Sequence, residues 1–97
     1  MKKYITITLS SPDGLSSIKT GDELLLRKDR NDFYDDEAIA VYDSTLRCGS
    51  VANSIGEVFR GTCSAGRIYD SFKEETACIV RFRNDETAIA ELNDDQQ

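Results

Sequence analysis

The sequence predicts a mainly β protein, in which six short antiparallel strands form a small closed barrel with one or two short helices inserted between strands 4 and 5. Six segments show the apolar alternation or the short apolar run of a strand, tight turns separate most of them, and helical spacing is confined to one stretch. The early turns are too short for the crossover helices that a parallel sheet needs. Closure of the barrel hides the strand edges.

The chain is expected to form one domain. Its 97 residues are too few for two separate cores, so we predict a single domain over 1–97, with a core at about 4–92 and a frayed acidic tail at 93–97. No apolar run is long enough for a membrane-spanning helix, and threonines alternate with apolar residues where a signal peptide would be continuously apolar. We therefore expect a cytoplasmic protein without a membrane partner.

The first four strands follow from local patterns. In Tyr4–Leu9 the isoleucines and the leucine share one face and the threonines share the other, which is typical of a half-buried strand. A turn at 20–22 precedes strand 2, which is predicted over Glu23–Lys28. The apolar run 38–42 predicts a central strand 3, and 48–52 predicts the returning strand 4.

Helical spacing appears only between strands 4 and 5, where six apolar residues fit it: Ile55, Val58, Phe59, Ile68, Tyr69 and Phe72. Gly61 and the turn at 64–66 interrupt this pattern, which favours two short helices over one long helix. Asn53 or Ser54 is expected to cap the first helix and Ser64 the second, because their side-chain oxygens can accept from free backbone N–H groups.

The last two strands are predicted over 76–83 and Thr87–Leu92. Two sets of side chains are expected on opposite faces of strand 5: Cys78, Val80 and Phe82 on one, and Ile79, Arg81 and Arg83 on the other. We interpret both arginines as structural residues that pair with acids on a neighbouring strand.

The composition excludes several function classes. The chain has no histidine, which excludes His-based acid–base chemistry, Ser-His or Cys-His nucleophile pairs and His-containing zinc sites. A net charge of −6 argues against binding nucleic acid mainly by neutralising many phosphates, so any such contact is expected to be local. We predict no catalytic residue, no cofactor and no metal site.

The three cysteines are interpreted as reduced thiols. Their number is odd and no CxxC pair is present. Cys48 and Cys78 are expected to pack as small hydrophobic residues in strands, as in a cytosolic protein. Cys63 differs because Arg60 and Arg67 lie near it in the sequence.

Two stretches carry a family pattern. One is GDELLLRKDRNDFYDDEAIAVYD, in which an acidic and aromatic loop ending in Tyr-Asp lies between two strands, and the other is CGSVANS. This pattern resembles the HIRAN domain, and the later stretch RGTCSAGRIYD resembles its small stand-alone bacterial members in particular. The resemblance covers about residues 4–83.

The resemblance implies an OB-like six-stranded barrel that binds single-stranded DNA with a free 3′ end, in a repair or replication context. DNA-binding members carry a basic residue and an aromatic residue near the end of strand 1, where this chain has Leu9 followed by Ser-Ser-Pro. They also carry a larger polar side chain at the position of Ser50. The family's Asn-Pro before Tyr-Asp is replaced here by Asp32 and Phe33.

Tyr34 and Asp35 are the residues that we expect to bind the DNA end, with Phe33 beside them. An aromatic ring can stack on a terminal base for about 1–3 kcal/mol. The neighbouring carboxylate can accept a hydrogen bond from a 3′-hydroxyl. In the alternative interpretation, Tyr34 anchors the loop on the barrel and Asp35 caps the turn before strand 3.

Arg60 and Arg67 are the second group of candidate binding residues. Together with Lys73 they make the helical insert locally basic, and the nearby glycine and serine turns can expose backbone N–H groups to a phosphate. In the alternative interpretation, these turns are ordinary helix caps and the arginines are surface residues.

Acidic residues around the loop are interpreted as a solvated rim, although clustered carboxylates also suit Ca²⁺ or Mg²⁺.

The main functional prediction is a non-catalytic DNA-binding module. The first alternative is a protein-interaction adaptor on the same fold that has lost DNA binding. The second is a metal-dependent hydrolase that uses Asp35 or a neighbouring carboxylate.

Overall fold

The computed structural model describes residues 3–9, 18–30, 37–44, 46–54, 56–84 and 86–92. Six antiparallel strands close into a barrel in the order β1-β4-β3-β2-β5-β6. The elements are β1 (Tyr4–Leu9), β2 (Glu23–Lys28), β3 (Ile39–Asp43), β4 (Leu46–Val51), the helix α1 (Ala65–Ile68), a 3₁₀ turn (Tyr69–Ser71), β5 (Glu75–Arg83) and β6 (Thr87–Leu92). The predicted mainly β barrel is confirmed. The loop that carries Phe33, Tyr34 and Asp35 and the predicted tail 93–97 lie outside the described residues.

Alternation of side chains along the strands fills the barrel. The fully buried residues include Ile5 and Ile7 on β1, Leu24 and Leu26 on β2, and Val80 on β5. Their neighbours in sequence face outwards, because successive side chains of a strand point to opposite faces. Each buried side chain of this size stabilises the fold by about 1.5–3 kcal/mol relative to an exposed one.

A bulge in β5 overturns the predicted placement of Phe82. The pairing of β5 with β6 shifts between Val80 and Phe82, so that Phe82 lies opposite Ile89 on the outer face. Phe82 is 54% exposed and does not share the inward face of Val80. A bulge adds one residue to one strand and reverses the alternation beyond it.

Beyond the bulge, Arg83 lies opposite the buried Ala88, and its Nη1 donates to the backbone oxygen of Ile18 over 2.9 Å. Arg81 pairs with Glu91 on β6 over 2.9 Å, as its structural interpretation requires. Arg83 has a backbone partner in place of the expected acid.

Only one of the two predicted helices is present in the described part of the insert. Ser64 caps α1 as predicted, since its Oγ accepts from the N–H of Arg67 over 3.4 Å. The described residues 56–62 form turns instead of a first helix. Gly61 in this segment has a φ of 92°, which a right-handed helix does not contain.

Cys48 and Cys78 are fully buried free thiols, as predicted. Burial raises the pKa of Cys48 to about 11 and that of Cys78 to about 12, because the charged thiolate is poorly solvated in the core. Cys63 is also free but only half buried.

Within the described ranges, no helix has the length and apolar character needed to cross a bilayer.

Candidate nucleic-acid interface

The segment between β4 and α1 lies against the outer face of β1 and is fixed to it at both ends. At its start, the N–H of Ala52 donates to the carbonyl of Thr6 over 2.8 Å. At its end, the N–H of Cys63 donates to the carbonyl of Tyr4 over 2.7 Å. The segment therefore forms a layer over one strand of the barrel.

A buried hydroxyl fixes the middle of this segment. The N–H of Phe59 donates to Oγ1 of the fully buried Thr6 over 3.1 Å. Oγ1 of Thr62 donates to the carbonyl of Phe59 over 2.7 Å and lies 2.8 Å from Oγ1 of Thr6. Because the single proton of Thr62 is directed to Phe59, the hydroxyl of Thr6 donates to Thr62. Both backbone polar groups of Phe59 are thus held by one closed ring of hydrogen bonds.

This ring also explains why the predicted first helix does not form. In a helix, the N–H of Phe59 would donate to the carbonyl four residues earlier. Here that N–H donates to Thr6, which is 53 residues away in the sequence. Gly56 and Gly61 flank the segment and weaken helical propensity further.

The fixed segment brings the two predicted arginines of the insert into one pocket, which we call the arginine pocket. It has a volume of about 330 Å³. Its lining residues are Asn53, Val58, Phe59, Arg60, Gly61, Thr62, Ser64 and Arg67. Arg60 and Arg67, seven positions apart in the sequence, therefore face one space.

Arg60 and Arg67 have no carboxylate partner within the described part of the chain. Four other arginines each form an ion pair: Arg27 with Glu75, Arg30 with Glu74, Arg47 with Asp29, and Arg81 with Glu91. Both arginines of the pocket are exposed. Their guanidinium groups are available to an anion from solution.

Phe59 is a candidate binding residue that the sequence analysis did not identify. It is 39% exposed and lines the arginine pocket. It also lines a second pocket of about 470 Å³, the β1 pocket, with Thr8, Leu9, Gly56, Glu57, Glu86 and Thr87. This places an aromatic ring beside the end of strand 1, where the sequence itself offers none. In the sequence, its position between Gly56 and Gly61 was the feature that could have indicated an exposed turn instead of a helix.

Ser50 lies on the same outer face as the β1 pocket. It is half buried on β4, where it pairs with Thr8 of β1 on one side and with Ala40 of β3 on the other. Directly paired residues point to the same face of a sheet. Ser50 is therefore one strand away from the β1 pocket, and it does not line the arginine pocket.

The predicted loop residues Phe33, Tyr34 and Asp35 lie outside the described residues, but the chain that follows them is placed. Nδ2 of Asn53 donates to Oε1 of Glu37 over 3.3 Å. Asn53 lines the arginine pocket, so Glu37 lies at its margin.

The sequence suggested that Asn53 or Ser54 caps a first helix. Asn53 does not do so. Its Oδ1 accepts from the N–H of Gly66 over 2.8 Å and so caps α1 instead. A side chain at position 66 would collide with the carboxylate of Glu37. The glycine is what allows Glu37 to lie against the start of α1.

The basic residue nearest to the acidic loop is engaged elsewhere. Arg30 forms two hydrogen bonds with Glu74, of 3.2 and 2.9 Å. These bonds hold the pKa of Glu74 below its ordinary value. Arg30 is therefore directed towards the segment before β5.

Comparison with known proteins found no match: no family model, no curated protein and no solved structure is similar to this chain.

Proposed function

We propose that the protein is a non-catalytic module that binds single-stranded DNA through the arginine pocket and Phe59. One observation carries the proposal. The two arginines that lack a carboxylate partner in the described chain line one pocket, and the exposed ring of Phe59 lies at its side. A cationic pocket next to an exposed aromatic ring is the combination that single-strand binding requires.

The chemistry of the two groups is complementary. Guanidinium groups donate paired hydrogen bonds to phosphate oxygens, and a phenyl ring stacks on any base. The Thr62 hydroxyl already donates to the carbonyl of Phe59, so it fixes the backbone of Phe59 and does not donate to the DNA. Because the net charge is −6, binding is confined to a few phosphates.

The resemblance to the HIRAN domain supports the recognition of a free 3′ end of the DNA strand. On that basis, Tyr34 stacks on the terminal base, with Phe33 beside it, and Asp35 accepts a hydrogen bond from the 3′-hydroxyl. Asp35 is two residues before Glu37, which lies at the margin of the arginine pocket. The module would act in DNA repair or replication, in the cytoplasm, where its three free cysteines stay reduced.

The proposal is tested by fluorescence anisotropy with a labelled oligonucleotide that ends in a 3′-hydroxyl, its 3′-phosphate twin and a blunt duplex. The 3′-hydroxyl strand is expected to bind best, because Asp35 repels a terminal phosphate. The double variant Arg60→Ala/Arg67→Ala is expected to lose about tenfold in affinity and to flatten the salt dependence by about 0.7 per lost phosphate contact.

Arg81→Ala is the matched control, because this arginine is paired with Glu91 and lines neither pocket. Unchanged affinity in the double variant, with the fold intact, would reject the arginine pocket. Equal affinity for the 3′-hydroxyl and 3′-phosphate strands would reject end recognition by Asp35 and leave the arginine pocket untouched.

A protein-interaction adaptor is the second candidate, favoured by the exposed Phe82, which faces solvent at 54% exposure beyond the β5 bulge. This role predicts a protein complex that Phe82→Ser abolishes and that Arg60→Ala/Arg67→Ala leaves intact. The same oligonucleotide titration separates the two candidates, because the adaptor binds none of the three DNA probes.

A further inference from the structure

A second basic surface lies on the outer face of β2, β3 and β4. It surrounds a pocket of about 710 Å³ lined by Arg27, Lys28, Asp29, Arg30, Ala40, Tyr42 and Arg47. We call this surface the β2–β4 face. None of these residues lines the arginine pocket or the β1 pocket.

The strand register places a ring and two guanidinium groups together on this face. Tyr42 pairs with Arg47 across β3 and β4, and Arg27 pairs with Ala40, two residues before Tyr42, so that Arg27 is diagonal to Tyr42 across β2 and β3. The guanidinium carbon of Arg27 lies 5.2 Å from the centre of the Tyr42 ring. Like the arginine pocket, this face has arginines and an aromatic ring among its lining residues.

The β2–β4 face is continuous with the β1 pocket. Arg27 pairs with Ala40, Ala40 with Ser50, and Ser50 with Thr8, which lines the β1 pocket beside Phe59. Neighbouring strands are about 4.8 Å apart, so these three steps span about 14 Å across the barrel. Ala40, in the middle of this row, is 2% exposed, and the half-buried Ser50 lies between it and Thr8.

We propose that the β2–β4 face binds the nucleotides further along the strand held by the arginine pocket, with phosphates on Arg27 and Arg47 and a base on Tyr42. This inference rests on the proposed function. It implies a site of several nucleotides that crosses four strands of the barrel through Ser50. Ser50 then faces the middle of the bound strand, and its small size leaves room for the backbone.

The acids on this face compete with the bound strand. Arg27 lies 2.6 Å from Glu75 and Arg47 lies 3.3 Å from Asp29; both arginine side chains are nearly half exposed, while Glu75 is 43% and Asp29 21% exposed. Exposed ion pairs of this kind are weak, so a phosphate can replace the carboxylate. Removal of the carboxylate is then expected to strengthen DNA binding.

The length dependence of binding tests this extension. Oligothymidylates of about 3, 6, 9 and 12 nucleotides, all with a 3′-hydroxyl, are titrated with the intact chain. Affinity of the unmodified protein is expected to rise at least tenfold from the shortest to the longest. In Arg27→Ala/Arg47→Ala the rise is expected to fall to threefold or less, while the shortest strand binds as before.

A substitution that raises affinity tests the proposal as well, because a variant that fails to fold cannot bind more tightly. Glu75→Gln removes the acid that competes for Arg27, and it is expected to strengthen binding of the longest strand about threefold and of the shortest strand not at all. Arg81→Ala is again the control. Tyr42→Leu is expected to reduce affinity for the longest strand only.

The outcomes separate the two proposals. If the unmodified protein binds no oligonucleotide, both proposals fail. If it binds, and the length dependence is the same in Arg27→Ala/Arg47→Ala, only the β2–β4 face is rejected. If Glu75→Gln strengthens short and long strands equally, the effect is one of net charge and the extension is also rejected.

Discussion

The two basic surfaces of the barrel differ in what their arginines already bind. On the β2–β4 face Arg27, Arg30 and Arg47 each have a carboxylate partner. In the arginine pocket, Arg60 and Arg67 have none among the described residues. The number of basic residues in a stretch of sequence therefore says little about how much positive charge a ligand can reach.

The surfaces also differ in how their backbones are held. The β2–β4 face lies on paired strands with one register shift, between Val41 and Tyr42, and the hydrogen bonds between these strands join backbone groups. The backbone of the arginine pocket depends on the hydroxyl of Thr6, which bonds to the N–H of Phe59 and to Thr62. A single substitution is thus expected to disturb one surface and leave the other intact.

Thr6→Val should give the largest effect. It leaves the N–H of Phe59 without a partner beneath the segment, and we expect it to lower the free energy of unfolding by about 1–3 kcal/mol. Oligonucleotide affinity should fall as well, because the backbone that carries the ring of Phe59 is no longer held. Urea denaturation and anisotropy on the same samples measure both.

Thr8→Val is the control for stability, since Thr8 lies on the same face of β1 and is only half buried. It should change the free energy of unfolding by less than about 0.5 kcal/mol. An equal loss in both variants would mean that the hydrogen-bond ring does not hold the arginine pocket in place.

Arginine-to-alanine substitutions should have smaller effects on stability, which differ between the two surfaces. Arg27→Ala is expected to lower stability by up to about 1 kcal/mol at low salt, because it removes an ion pair with Glu75. Arg60→Ala removes no such pair in the described chain and should leave stability unchanged. Urea titrations at low and high salt compare the two, and a greater loss of stability in Arg60→Ala would contradict the contrast.

The ion pair of Arg30 and Glu74 gives the smallest expected effect, and it depends on pH. The hydrogen bond from Arg30 lowers the pKa of Glu74 from its ordinary value of 4.5. A lowered pKa means that the pair stabilises the fold above pH 4.5 and loses this effect as the pH falls through the lowered pKa. The small stability difference between the unmodified protein and Glu74→Gln should therefore be present near neutral pH and disappear in acid. A difference that persists once Glu74 is protonated would show that this side chain acts through packing.

Local patterns in the sequence predicted most of the fold. The bounds of β1, β2 and β6 are those predicted, because alternation and the adjoining turns involve neighbouring residues only. The capping of α1 by Ser64 is equally local. The bulge that exposes Phe82 and the turn segment that displays Phe59 were not predicted. Both depend on a partner strand, and Phe59 in particular depends on Thr6.

The candidate site was predicted in part. Arg60 and Arg67 were expected to act together, and they line one pocket. Phe59 was missed because its spacing of four residues from Ile55 suits a helix, and the side chain that prevents the helix lies on β1. Phe33, Tyr34 and Asp35 lie outside the described residues, so their part in binding stays a prediction.

The three free thiols differ in burial, so that a thiol-reactive dye is expected to label one of them selectively. Cys48 and Cys78 are buried, and their pKa values are raised to about 11 and about 12, so a maleimide dye at neutral pH finds little thiolate there. Cys63 is half buried and lies between Thr62 and Ser64, which line the arginine pocket. A fluorophore attached to the natural sequence would therefore report from the edge of that pocket without any engineered cysteine.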